Sequence, residues 1–373
     1  MIDRRQILAG TAAMAVAGSA AAKEAPVVVN ALGGLSNPNL QIGREAGPAA
    51  DTLVLDVDAR GIADAKAAGM TAVNITLGYV AGPQEPYAYT LQTLDAWDRL
   101  IAANAKDLTL VRKAADIARA KAAGKVGVIY GFQNAVQIGE HLERVDEFAA
   151  RGVRIVQLTY NPANLLGDGS MAPENRGLTE AGRKVVDKLN AARLMVDLSH
   201  SGERTCLDAI AASKAPISIN HTGCRALTDM PRNKTDAELR GVAEKGGFVG
   251  IYFMPFLNPS SHASAADVVA HIEHALKVCG EDHVGIGTDG SAAAIDDMEA
   301  YKFALAEENR QRVAAGIAAK GERADTYPFV LDLRGPDQFR KLARLLEARG
   351  HKSRVIEKVL GLNFVAYAQR IWG

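Results

Sequence analysis

A parallel (β/α)8 barrel of the TIM type, class α/β, is the fold this sequence predicts, and two observations carry the expectation. Eight short, β-branched, nearly continuous apolar runs alternate with stretches of helical period along the chain. Runs without a polar face belong in a parallel sheet covered on both sides. Eight is also the number that closes a barrel, and 373 residues suit one with insertions. An open doubly wound sheet is the competing arrangement, yet no GxGxxG follows any run to support its nucleotide site.

In order, the runs are 27–32, 71–77, 126–130, 154–159, 194–199, 217–220, 248–253 and 284–288. Helical periods fall between them at 142–151, 182–192, 204–212, 236–245 and 266–279. Several close on a basic residue and glycine, as in Ala149-Ala150-Arg151-Gly152 and Ala243-Glu244-Lys245-Gly246, which is how helices stop. Asp56 and Asp58 read as the start of the first helical region. Segments 252–266 and 292–299, after the seventh and eighth runs, are expected to shape a pocket. The tail reads as two extra C-terminal helices, 339–348 and 353–369, packed on the outside.

Residues 1–22 read as an address. Arg4-Arg5 precedes a short run rich in Ala and Gly that ends Ala20-Ala21-Ala22, the pattern of a twin-arginine export signal with its cleavage site. The run is too short for a membrane span. The expectation is a signal over 1–22, removed on export to the periplasm, and a single barrel domain over 23–373 with no stable membrane insertion. Forty-three basic and 43 acidic residues leave no basic excess for nucleic acid. Three cysteines without a CxxC spacing give neither a disulfide framework nor a cysteine zinc site.

In such a barrel, chemistry sits at the carboxyl ends of the strands. The fifth run ends Asp197-Leu198-Ser199-His200, the sixth ends Ile219-Asn220-His221, and the eighth ends Gly287-Thr288-Asp289-Gly290. Two imidazoles and a carboxylate at one rim form a donor set that suits Zn²⁺. His271 and His274 lie three apart on a helix and read as packing or solvated residues.

Asp197-Leu198-Ser199-His200-Ser201, His221-Thr222-Gly223-Cys224-Arg225-Ala226, Pro231-Arg232-Asn233 and Gly285-Ile286-Gly287-Thr288-Asp289-Gly290 together resemble the renal (membrane) dipeptidase family of zinc peptidases. Leu158-Thr159-Tyr160-Asn161 with Gly167-Asp168-Gly169, and Gly361-Leu362-Asn363-Phe364, extend the likeness over the whole chain after residue 22. The resemblance implies a barrel that hydrolyses dipeptides with two zinc ions, and, since members often pair, a homodimer. It makes His200 and His221 ligands of one metal, Arg225 the holder of the substrate carboxylate, and Asp289 a metal ligand or proton acceptor. Tyr160 stands where many members have a substrate-binding histidine.

Three departures qualify it. Leu32 and Gly34 occupy the places of the family's first-strand His-x-Asp pair, and Gln133 stands where the metal-bridging glutamate is expected. Two cations at ~3.5–4 Å need bridging carboxylates between them, and only Asp289 remains. The sequence therefore predicts one zinc on His200, His221 and Asp289, with a metal-free site as the rival. It predicts a periplasmic hydrolase of small dipeptide-like amides, with Asp289, Gln133 and Tyr160 catalytic and Arg225 and Tyr160 binding substrate. The alternatives are a metal-free tailoring enzyme for a peptide-derived metabolite and a non-catalytic small-peptide binding protein on the same scaffold.

Overall fold

The computed structural model describes residues 25–42 and 55–373, so the export-signal expectation lies outside the described residues. The chain runs β1 (Val29–Gly33), α1 (Ala59–Ala67), β2 (Ala72–Thr76), α2 (Pro86–Ala103), β3 (Leu108–Leu110), α3 (Ala114–Ala122), β4 (Val126–Phe132), α4 (Glu143–Arg151) and β5 (Val153–Gln157). It continues α5 (Glu180–Ala191), β6 (Met195–Asp197), α6 (Glu203–Ala212), β7 (Ser218–Thr222), α7 (Asp236–Glu244), β8 (Phe248–Ile251), α8 (Ala265–Cys279) and β9 (Val284–Ile286). The last helices are α9 (Met298–Ala314), α10 (Gln338–Ala348), α11 (Ser353–Glu357) and α12 (Asn363–Trp372).

Eight strands pair in parallel in the order β1-β2-β4-β5-β6-β7-β8-β9, and all eight fall on the apolar runs. The short β3 is an unforeseen ninth strand that pairs only with β4, outside the ring. Closure comes from β9 meeting β1. The Asp289 amide donates to Leu32 O at 2.9 Å, Gly34 donates to Gly290 O at 3.2 Å, and Asn30 Nδ2 donates to Thr288 Oγ1 at 2.8 Å. The ring is thus a (β/α)8 barrel.

Local chemistry explains the helix starts. Asp58, Thr179 and Thr235 each cap a helix by accepting from the amide three residues on. Asp58 therefore spends its carboxylate on α1 and on Asn37 Nδ2, as a first-helix residue should. Alternate strand residues face opposite ways. Val73, Val128, Val156, Val196 and Val249 pack outward against the helices, while Ala31, Ala72, Ile129, Ile155, Met195 and Phe248 cluster with Phe364, Tyr367 and Trp372. Helix α12 thereby stoppers the end of the barrel where the strands begin, leaving the opposite end for the site. The expected helix 353–369 is really α11 and α12 joined by a wider π-type turn, Lys358–Leu362.

Inside the barrel, backbone takes the place of side chains. A Cβ added to Gly250 or to Gly287 would lie 2.0 Å from the carbonyl oxygen of Asn220. That contact is with backbone, so no rotamer change relieves it. Gly250→Ala and Gly287→Ala should each destabilise the protein by about 3 kcal/mol in urea unfolding, the upper part of the overpacking range.

Candidate active site

The mouth holds a cavity of about 410 Å³ lined by Gln133, Tyr160, Asn161, His200, Arg232 and Asp289 from the barrel side. Met254 to Phe256, in the segment after β8, line it too, as expected of 252–266. Gln133 follows β4, Tyr160 lies beyond β5, His200 follows β6 and Asp289 follows β9, so four strand ends converge on one space. His221, in β7, is fully buried directly behind His200.

The two imidazoles touch through Nε2 and Nε2 at 3.0 Å. Their tautomers follow from the neighbours. Asn161 donates its Nδ2 to Ile317 O, so its Oδ1 must accept from His200 Nδ1, 2.7 Å away. With that proton on Nδ1, the Nε2 of His200 carries a lone pair and accepts from His221 Nε2–H. The Nδ1 of His221 is then left buried with no partner among the described residues. Burial, then the positive charge of Arg232, holds both rings well below the usual histidine pKa, and Lys234 adds to it. The pair is neutral at ordinary pH. Tyr160 stacks on His200 with ring centroids 4.3 Å apart.

Asp289 adopts φ = 60°, a left-handed conformation that costs a non-glycine residue about 1–3 kcal/mol. It is one of three such residues among those described, and the one at the cavity. Burial pushes its carboxyl up to about 6, against the opposing pull of Arg232 and Arg312. Gln133 uses one amide N–H on Thr76 Oγ1 at 2.5 Å, and its second N–H has no acceptor among the described residues. Arg312 of α9 donates to the Tyr160 hydroxyl at 3.4 Å, so that hydroxyl keeps its own hydrogen for another acceptor.

Arg225 does not belong to this space. Its guanidinium pairs with Glu203 at 3.2 Å and approaches Asp229 at 3.9 Å, and it is absent from the cavity lining. The arginine of this loop that does line the cavity is Arg232, 2% exposed. Its Nη1 donates to Ser199 O at 2.5 Å and its Nη2 has no acceptor among the described residues. Both arginines follow His221 in the same loop, and only folding decides which one turns inward. Helix α9 was missed altogether, although Leu305, Glu308, Asn309 and Arg312 line the cavity. Segment 292–299 runs into it, with Asp297 as its N-cap.

The zinc centre expected from the sequence does not fit these residues. Leu32 is a buried aliphatic in β1, and Gly34 has no side chain. Two nitrogens face each other, but among the described residues no group of three His, Cys, Asp or Glu side chains is placed to hold an ion. An open catalytic zinc site uses three protein ligands. A metal-bound histidine also donates its other N–H to an acceptor, and His221 Nδ1 has none among the described residues. The charges that act on both rings are the cations Arg232 and Lys234, which oppose a further cation.

The sequence profile of the membrane dipeptidase family (peptidase family M19) matches residues 64–311. The chain belongs to that family. It is 28% identical over 286 residues to the dipeptidase tcpJ of Claviceps purpurea, covering 76% of this chain and 60% of that protein. A protein encoded in the pqqA 5′ region of Klebsiella pneumoniae is 30% identical over 226 residues, covering 58% and 83%. Against the fungal dipeptidases verJ and tcpJ, the chain spans about three-fifths of the relative's length. Among solved structures, an amidohydrolase from Pseudomonas aeruginosa superposes with a TM-score of 0.76 at 31% identity, covering 93% of this chain and 97% of that one. A metallopeptidase from Rhodobacter sphaeroides, bound to a phosphinate mimic of L-Ala-D-Ala, shares the fold with a TM-score of 0.71 at 22% identity, covering 93% and 100%.

The strained, half-buried Asp289 has a consequence for stability. Its folded pKa of about 6 exceeds the ordinary aspartate value of about 3.9, so the folded state binds the extra proton and stability falls as pH rises between those values. Asp289→Asn removes the charge and tolerates the left-handed backbone better. Urea unfolding should show the variant more stable by about 1–3 kcal/mol at pH 7.5. At pH 4 most of that gain should be gone.

Proposed function

We propose that this chain hydrolyses the amide bond of a small dipeptide-like molecule held in the cavity, with Asp289 as the proton acceptor. The observation that supports it is the convergence, around one space, of a carboxylate with a raised pKa, a guanidinium nitrogen without a partner among the described residues and two neutral donors. The Arg232 Nη2 takes the substrate carboxylate, which relieves a buried donor that has no other partner. Asp289 draws a proton from a water as its oxygen bonds to the carbonyl carbon. The free N–H of Gln133 and the hydroxyl of Tyr160 supply hydrogen bonds to the carbonyl oxygen as it gains charge. The proton then passes from Asp289 to the leaving nitrogen as the C–N bond breaks. No step passes through a metal, because the donor set does not fit one.

The periplasm is the proposed location, supported by Arg4-Arg5 and the Ala20-Ala21-Ala22 site. Among the described residues no helix is long and apolar enough to cross a membrane.

A second reading draws on His221 Nδ1 and the missing third ligand. The same base could move a proton within a peptide-derived metabolite, leaving its mass unchanged. One experiment separates the readings: a free-dipeptide panel followed by mass spectrometry, with and without chelator, beside the zinc content of protein purified without chelator. Hydrolysis that survives chelation is expected, with under about 0.3 zinc per chain, since an open catalytic site fills near one. Chelator-sensitive cleavage restored by zinc would reinstate the single ion expected from the sequence. Conversion without mass change would favour the tailoring enzyme, and binding without conversion the binding protein.

Because the base must be ionised, kcat/KM should rise with pH through about 6 and then level. Asp289→Asn should lower kcat by about 10²–10⁴-fold and erase that limb.

A further inference from the structure

A second cavity, of about 150 Å³, adjoins the first and shares only Asp289 and Pro328 with it. It lies between the turn after β9, the start of α9 and the segment that leads into α10. Much of its wall is apolar or aromatic, with Phe253, Ile295, Tyr301, Phe329 and Leu333. The Tyr301 and Phe329 rings sit 5.7 Å apart, centroid to centroid.

Two donors in this wall lack an acceptor. Arg334 lies with its guanidinium carbon 5.4 Å from the Phe329 ring centroid and its Nη2 3.1 Å from Met298 Sδ, and no carboxylate among the described residues pairs with it. Burial draws its pKa down, opposed only by the Tyr301 and Tyr327 hydroxyls, so no acid makes up for its lost hydration. Gln338, the first residue of α10, is 2% exposed, and its Nε2 has no partner among the described residues. The last torsion of a glutamine is broad, so the amide can turn an N–H into the cavity. Helix α10 also has no side-chain cap, which leaves its positive end uncompensated beside the same wall.

Buried donors without acceptors are costly, and one anionic acceptor satisfies both. We propose that this cavity is a binding site for a small carboxylate with an apolar, ring-sized body, its oxygens held by Arg334 and Gln338 and its body seated among Phe253, Tyr301 and Phe329. Asp289, the one acid among the described residues of the lining, opposes the anion. The carboxylate could belong to a separate acid or to an acidic side chain of a molecule in the larger cavity.

The probe is benzoate, titrated calorimetrically into the full-length protein, with benzamide as its uncharged analogue. Saturable benzoate binding is expected, with benzamide weaker by about tenfold or more, the scale of bonds made to a charged group. Arg334→Met keeps the apolar stem and should weaken benzoate by about that factor. Gln338→Leu, which leaves the guanidinium in place and carries the test if Arg334→Met does not fold, should weaken it by roughly threefold. Arg232→Met, in the larger cavity, should leave it within about twofold, and Asp289→Asn should tighten it. L-Alanyl-L-glutamate that displaces benzoate where L-alanyl-L-glutamine does not would assign the site to a substrate side chain, and displacement by neither would assign it to a separate acid. No saturable binding by wild type, equal affinity for benzamide, affinity unchanged in either Arg334→Met or Gln338→Leu, or displacement by both peptides would overturn the proposal.

Discussion

Two neutral imidazoles pressed together with cations behind them set the terms of this site. The His200 and His221 nitrogens share a single hydrogen across 3.0 Å, and Asn161 decides which ring donates it. Arg232 and Lys234 then make further positive charge unwelcome. Lys234 is itself buried, satisfied by Ser201 O and by Glu238 at 3.3 Å. A lone buried charge would be costly, whereas this pair keeps a cation close to the histidines at a tolerable cost. What the family assigns to metal, this chain surrounds with arginine, lysine and neutral donors.

The position of Asp289 shows how the scaffold feeds the chemistry. Its backbone N–H closes the barrel on Leu32, and its positive φ swings the carboxylate into the space between strand ends. Barrel closure and the proposed proton acceptor therefore fall on one residue. Strain of this kind persists because neighbouring contacts over-determine the backbone, here Asn30 on both the amide and the hydroxyl of Thr288. On the opposite side α9 brings a second set of charges to the mouth from outside the ring of strands. Loops and helices appended to the carboxyl ends are where barrels of this class vary their substrates.

Much of this was legible beforehand. The eight barrel strands stand out because strands buried on both faces must be apolar throughout, and helix ends announce themselves through Gly and basic residues. Strand β3 escaped because three residues, Leu108–Leu110, make too short a run to register. Helix α9 escaped because it carries polar residues on the cavity face as well as on the outer one, which erases the apolar stripe that marks a helix. Arg225 drew notice by its nearness to His221, yet Glu203 holds it, and Arg232, seven residues on, reaches the cavity.

Residue identity alone determined the barrel and the meeting of its fifth, sixth and eighth strands at one rim, because each depends on period or on side-chain type. Only the tertiary structure decided which of the two arginines after His221 turns inward and which imidazole nitrogen bears the proton. Those outcomes turn on partners distant in sequence, such as Asn161 with Ile317 or Arg225 with Glu203, and no local pattern encodes who reaches whom first.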